Sequence, residues 1–343
     1  MSQETVQPKR TRRGSGAVTL HDVARIAGVA PITASRALKT PEQVSDEVRR
    51  KVGEAVARTG YVPNLLAGGL ASTRSRLVAA VVPTIAGPVF LETIQVLTET
   101  LAERGYQLML GQAGYSGGRE DALLEAIIGR RPDGIVLTGI MHSAEGRRRL
   151  LACGIPVVET WDLTPTPIDM LVGFSHAEVG RKVAEFLHAR GRRHLAVVAG
   201  DDERAGRRQE AFQAAAAALG LGEVRVIVVP APTTLGSGRA ALAELLREHA
   251  DIDAVFCSSD LLALGVLTEA QALGIAVPDR LAVVGFGDLQ FAADLHPALT
   301  TVHINSGAIG RQAAQFIVDR AEGRPMAQRV IDIGFSIVQR QSA

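Results

Sequence analysis

From Leu77 onward the chain alternates apolar runs of strand length with helical patterns, and it does so twice. LVAAVVPT opens at Leu77 as a strand and is followed by helical spacing over about 90–104. Further strands at 106–111 and 134–138 flank a helix over about 121–130, and GIPVV opens another strand at Gly154. The alternation restarts near Val179. It runs as helix to 190, strand 194–198, helix about 207–219, strand 224–229, helix about 237–249, strand 254–257, helix about 261–273 and strand 281–284. Strands separated by helices pair in parallel, because each crossover returns the chain to the end it came from. The reading is therefore two successive doubly wound α/β units. Ligands of such sheets sit at the carboxyl ends of the strands. A composition of 47% hydrophobic but only 4% aromatic residues favours α/β layers over an all-β sandwich.

The first 76 residues read differently. They carry 13 basic against 6 acidic residues, a net +7, which leaves −6 for the rest of a chain whose total is +1. A basic end on an acidic body is the footprint of a polyanion partner. Within it, Leu20, Val23, Ala24 and Ala27 recur on one helical face, and Gly28 and Val29 break the pattern. Pro31 suits the first position of a second helix, where its missing N–H costs nothing. Ala34, Ala37 and Leu38 form the inward face of that helix, and Pro31, Ile32, Ser35 and Arg36 point out. Two short helices about a Gly-containing turn make a helix-turn-helix, whose second helix enters the DNA major groove. A third helix is expected from the Ser45 cap to about Thr59, with Val48, Val52, Ala55 and Val56 inward and Tyr61 and Val62 closing the small core.

LHDVARIAGVAPITASRALK, followed by VSDEVRRKVGEAVARTGYVPN, resembles the headpiece of the LacI/GalR family of bacterial transcriptional regulators. The likeness extends from Val18 to the C-terminus. GVAPITASRAL and ETWDLTPTPIDMLVGFSH point to the gluconate-repressor branch. The resemblance implies a bilobed, periplasmic-binding-protein-like core of two doubly wound parallel sheets, with an effector in the cleft. It divides the chain into a disordered basic arm (1–17), a headpiece (18–62), a hinge (63–76) and a core (77–343). The first lobe would span about 77–173 plus 306–330, and the second about 174–305 plus 331–343. It implies DNA contacts from Thr19, Leu20, Ala30, Pro31, Ile32, Thr33, Ser35, Arg36 and Lys39, and from Asn64, Ala67 and Leu70 of the hinge. Leu70 falls where the family wedges a leucine between base steps in the minor groove.

The resemblance also nominates effector residues. Arg208 opens RRQEAF, which is similar to the family's Arg-x-x-x-Phe motif, and its guanidinium suits a diol or a carboxylate. CSSDLLALG places Ser259 and Asp260 at a ligand motif, with helix capping an equal reading for Asp260. Phe90, Tyr115, Trp161, Phe174 and Ser175, with His176, fall in loops after strands or near the crossover; core packing explains the aromatics equally well. Gly287 stands where sugar-responsive members often carry an aspartate, and Asp288 follows it. That missing carboxylate favours an acidic ligand, gluconate or a close relative, over a neutral sugar. A purine- or neutral-sugar-responsive regulator is the alternative within the family.

An α/β ligand-binding protein or an enzyme is the alternative from another class. A P-loop, HExxH and a strand-to-helix GxGxxG are all missing from the sequence. Cys153 and Cys257 lack metal or disulfide spacing, so no metal or cofactor is expected, and a reduced cytoplasm fits. No apolar run approaches the roughly 20 residues that span a bilayer. The ending SIVQRQSA carries no leucine heptads, so a homodimer on a pseudo-palindromic operator is expected, rather than a tetramer.

Overall fold

The computed structural model describes residues 18–62, 74–85, 87–114, 117–140 and 142–343. It separates into two units, Met1–Thr73 and Arg74–Ala343. The arm at 1–17, Tyr115, and the hinge positions Asn64, Ala67 and Leu70 lie outside the described residues.

In the first unit, α1 (Leu20–Ala27), α2 (Pro31–Lys39) and α3 (Asp46–Thr59) surround a core of Val23, Ala24, Ala27, Ala34, Ala37, Val52 and Ala55. Thr19 caps α1 in a reciprocal box with Asp22. The hydrogen bonds from Thr19, helped by Arg25, hold the Asp22 carboxyl down at about 2. Gly28 ends α1 in the left-handed conformation and Pro31 opens α2. Ser45 caps α3. Tyr61 packs against this core, but Val62 is 80% exposed and does not close it.

The second unit contains two six-stranded sheets. The chain runs β1 (Leu77–Val82), α4 (Leu91–Glu103), β2 (Gln107–Gln112), α5 (Gly117–Ile128), β3 (Gly134–Thr138), α6 (Ala144–Ala152), β4 (Val157–Thr160) and β5 (Met170–Gly173). It enters the second lobe through α7 (His176–Ala189), β6 (Leu195–Gly200), α8 (Glu203–Ala218), β7 (Arg225–Val229), α9 (Leu235–Glu248), β8 (Ala254–Cys257), α10 (Asp260–Ala272), β9 (Ala282–Phe286) and β10 (Thr300–His303). Then α11 (Ser306–Glu322) packs against α4 in the first lobe. Next, β11 (Val330–Asp332) pairs with β5, and β12 (Ser336–Val338) returns to the second sheet.

The sheet orders are β11-β5-β4-β3-β1-β2 and β12-β10-β9-β8-β6-β7. Every pairing is parallel except β10 with β12, so the second sheet is not wholly parallel as expected. Because β11 lies in the first sheet through Asp332, the last passage between lobes falls at 333–335 rather than after 330. The buried strands read as apolar runs because helices cover both faces. Helix α7 packs tightly against α8. A Cβ on Gly180 would sit 2.1 Å from the carbonyl oxygen of Arg208, so only glycine lets the two helices approach there.

His142, just before α6, is buried between two carboxylates. Its Nδ1 is 2.6 Å from Glu120 Oε1. Its Nε2 is 3.3 Å from Glu159 Oε1, a contact of charges without hydrogen-bond alignment. Burial alone pulls the imidazole pKa down, but the bond to Glu120 and the charges of Glu120 and Glu159 outweigh it and raise it to about 9.

Two outcomes are expected from this architecture. Ala30 is the N-cap of α2 and offers no side-chain bond, so Ala30→Ser should stabilise the first unit by about 0.5–2 kcal/mol. Unchanged denaturation of that unit would refute it. For His142, the folded-state pKa stands above the ordinary 6.5, so its contribution is full below about 6.5 and lost as pH rises through about 9. Urea unfolding of the second unit should show that loss, and His142→Gln should flatten it. Equal stability at both ends of this range in the parent protein would rule it out.

Candidate functional site

The first unit presents a compact reading face. Pro31 and Ile32 are exposed at the start of α2, Ile32 at 64%, with Arg36 and Lys39 exposed further along. Thr33 and Ser35 are half-buried beside them. The inward residues Ala34 and Ala37 hold this face outward by packing on α1 and α3. Thr19 and Ala30 are exposed at the two N-caps, and Leu20 is half-buried against the core. Pro31 and Ile32 have no side-chain donor, so Arg36 is the one long hydrogen-bonding fork on the exposed middle of α2.

The second unit holds a cavity of about 740 Å³, counting the space open to solvent. Its lining comes from the carboxyl ends of strands in both lobes. Thr84 and Gly87–Phe90 follow β1, and Trp161 follows β4. Asp202, Arg204 and Arg208 follow β6; Ala231, Pro232 and Thr233 follow β7; Ser258, Ser259 and Leu261 follow β8. His176, Phe286 and Leu289 complete it.

Arg208 is 5% exposed. One guanidinium nitrogen, Nη1, lies 2.8 Å from His176 Nδ1, and Nη2 donates to the Ser258 carbonyl at 3.0 Å. The guanidinium lies 4.0 Å from the centroid of the Phe286 ring. Its Nε is buried with no partner. Burial pushes the Arg208 pKa down to about 10, a fall opposed by the Asp202 carboxylate, so the group stays charged at neutral pH. His176 Nε2 is 2.9 Å from the Trp161 carbonyl, which can only accept. The proton is therefore on Nε2, and Nδ1 accepts from Arg208. Burial, then the Arg208 charge, hold the His176 pKa well below its ordinary value, so the ring is neutral.

Trp161 has a left-handed backbone, φ 68°, an uncommon strain for a bulky side chain. Its indole donates to Thr93 Oγ1 at 3.2 Å, and the ring meets Phe90 edge-on at 5.1 Å. Arg204 crosses the cleft, with its guanidinium 5.1 Å from the Phe90 centroid and Nη1 3.5 Å from the Thr138 carbonyl. Asp202 caps α8 through Oδ1, which accepts from Ala205 N at 3.1 Å.

Of the effector residues expected from sequence, Phe90, Trp161, Arg208 and Ser259 meet in this cavity. Four do not. Phe174 is fully buried between Trp161 and His176. Ser175 caps α7 by accepting from Glu178 N. Asp260 is fully buried and neither caps its helix, which Ser259 does, nor faces the cavity. It accepts from Thr301 Oγ1 at 2.6 Å and Leu289 N at 2.7 Å, and burial raises its pKa to about 6. Asp288 is held 2.7 Å from Arg340 and 3.0 Å from His303.

Gly287 also lies outside the lining. At φ 127° it occupies a conformation that disfavours aspartate on backbone grounds alone, so its identity says less about ligand charge than the sequence suggested. Arg204, Asp202, Thr233 and Ser258 were missed. DDER carries the polar signal, but its register on the first turn of α8 shows only once that helix is seen to begin at Glu203 rather than near 207.

Residues 19–64 match the family described as bacterial regulatory proteins, lacI family, and residues 184–343 a periplasmic binding protein-like domain. The chain is 37% identical over 340 residues to the HTH-type transcriptional regulator GntR of Pseudomonas aeruginosa, covering 98% of this chain and 99% of that one. It is 33% identical over 319 residues to the GntR regulator of Escherichia coli K12, covering 93% and 96%. A crystal structure of a LacI-family transcriptional regulator from Silicibacter pomeroyi superposes with a TM-score of 0.90 at 31% identity, covering 95% and 99%. These relatives are regulators and not enzymes. Among the described residues, no helix is long and apolar enough to cross a membrane.

Arg36→Ala is expected to relax preference at one base pair in each half-site by roughly 1–3 kcal/mol. Selection of binding sites from random DNA is the measurement, and an unchanged base preference would count against this role.

Proposed function

We propose a sugar-acid-controlled repressor, starting from the fact that the chain belongs to the LacI/GalR family of bacterial transcriptional regulators, in its GntR branch. It is a DNA-binding transcriptional regulator; the effector and the assembly are our reading. The observation that carries the effector is the charge of the cavity wall. Arg204 and Arg208 contribute two positive charges, Asp202 one negative, and His176 none. The wall is therefore net +1 and suits one carboxylate. Hydroxyls of Thr233, Ser258 and Ser259 line the same wall, and Phe90, Trp161 and Phe286 give apolar faces for a carbon chain. Gluconate or a close aldonate combines these features, with its carboxylate at Arg208, where the buried Nε lacks a partner.

The regulator acts as a homodimer on a pseudo-palindromic operator, its two-fold axis matched by the DNA. Effector and operator are coupled by linkage. If the ligand favours a core state that binds DNA poorly, DNA weakens ligand binding by the same factor.

Titration calorimetry with gluconate, glucose and a purine tests the assignment. Gluconate should bind and the other two should not; tight binding of glucose or a purine without gluconate would sink the sugar-acid reading. Arg208→Ala should cost gluconate roughly 2–5 kcal/mol and abolish the ligand's effect on operator binding. Retained operator affinity in that variant shows that the fold survives.

A further inference from the structure

Asp202 lines the cavity beside two arginines, and its helix-capping duty does not require it to be charged. An asparagine or a serine caps as well as an aspartate. The cap uses Oδ1, and no described residue donates a hydrogen bond to Oδ2. Arg204 Nε lies 3.9 Å from Oδ1, beyond hydrogen-bond reach, so Asp202 is not consumed by that contact either. Its charge is nevertheless felt across the cavity, because it is the strongest influence opposing the effect of burial on Arg208. The neighbouring pair Arg207 and Asp162, 3.0 Å apart, is mutually neutralised. Without Asp202 the wall would be net +2 and would welcome a ligand carrying a second anionic group. With it, a second anionic group meets a like charge on a side chain that is only 18% exposed, where repulsion is screened less than at the open surface.

We propose that Asp202 is a specificity-determining residue that restricts the ligand to a singly charged polyhydroxy acid, accepting a ligand hydroxyl at Oδ2 and disfavouring the same acid bearing a terminal phosphate. The inference rests on the sugar-acid reading above.

Titration calorimetry of the full chain with gluconate and with 6-phosphogluconate tests it, in the parent protein and in Asp202→Asn and Asp202→Ser. Both variants keep a capping oxygen and remove the charge, so their thermal midpoints should stay close to that of the parent. The parent should favour gluconate by about ten-fold or more, and each variant should narrow that ratio by about ten-fold. The gain should appear on the phosphorylated acid. A parent that binds gluconate, with variants whose ratio is unchanged or whose affinities for both acids fall equally, overturns the role of Asp202 alone. A parent that binds the phosphorylated acid as tightly as gluconate overturns it as well. A parent that binds neither acid removes the sugar-acid reading and this inference together.

Discussion

A guanidinium taken out of water must be hydrogen-bonded or must face a compensating charge, because its desolvation otherwise costs several kcal/mol. Arg208 meets that demand with groups from three elements: a ring nitrogen at the start of α7, a carbonyl after β8, and the face of Phe286 at the end of β9. The arrangement dictates the chemistry of its neighbours. His176 must be neutral to accept from Arg208, so its single proton is committed to the Trp161 carbonyl. That carbonyl belongs to a residue with a left-handed backbone, a strain on the order of 1–3 kcal/mol that the surrounding contacts hold in place.

The same chain of bonds continues beyond the cavity. The Trp161 indole donates to Thr93 on α4, and Thr93 donates to the carbonyl of Ser306, the first residue of α11. Ser306 lies just past the second passage between the lobes, and His176 just past the first. A group entering beside Arg208 thus touches a hydrogen-bonded path that reaches two of the three passages. Such a path is a physical connection, and the coupling it could carry is bounded by how differently the ligand interacts with the two lobe arrangements.

Much of this architecture was legible in the sequence, for reasons that differ by element. The α3 boundaries follow from Ser45, whose hydroxyl caps the helix, and Gly60, whose lack of a Cβ permits a left-handed stop. The long buried strands show as continuous apolar runs. Strands β5, β11 and β12 are three or four residues long and have too few positions for a pattern. Helix α6, AEGRRRLLA, has four charged residues among nine and buries only Gly146 and Leu150, so its amphipathic signal is weak. In the site, Arg208 was found through its motif, whereas Asp260 was misplaced. A buried aspartate at the start of a helix looks the same in sequence whether it faces a ligand or, as here, ties together Thr301 and Leu289.

The interleaving of the lobes sets an order on the chain's own synthesis. The first lobe begins at β1, yet its sheet lacks β11, and its core lacks α11, until all of the second lobe except β12 has been made. About 160 residues separate β5 from its partner β11, which at ribosomal speeds is a delay on the order of ten seconds. During that interval the outer edge of β5 has no strand beside it, and Val136, Val158 and Val172 lack the cover of Ile309, Ala313 and Ile317. The nascent first lobe is therefore the part of this protein with most to gain from a chaperone that shields apolar surface while the ribosome is still at work.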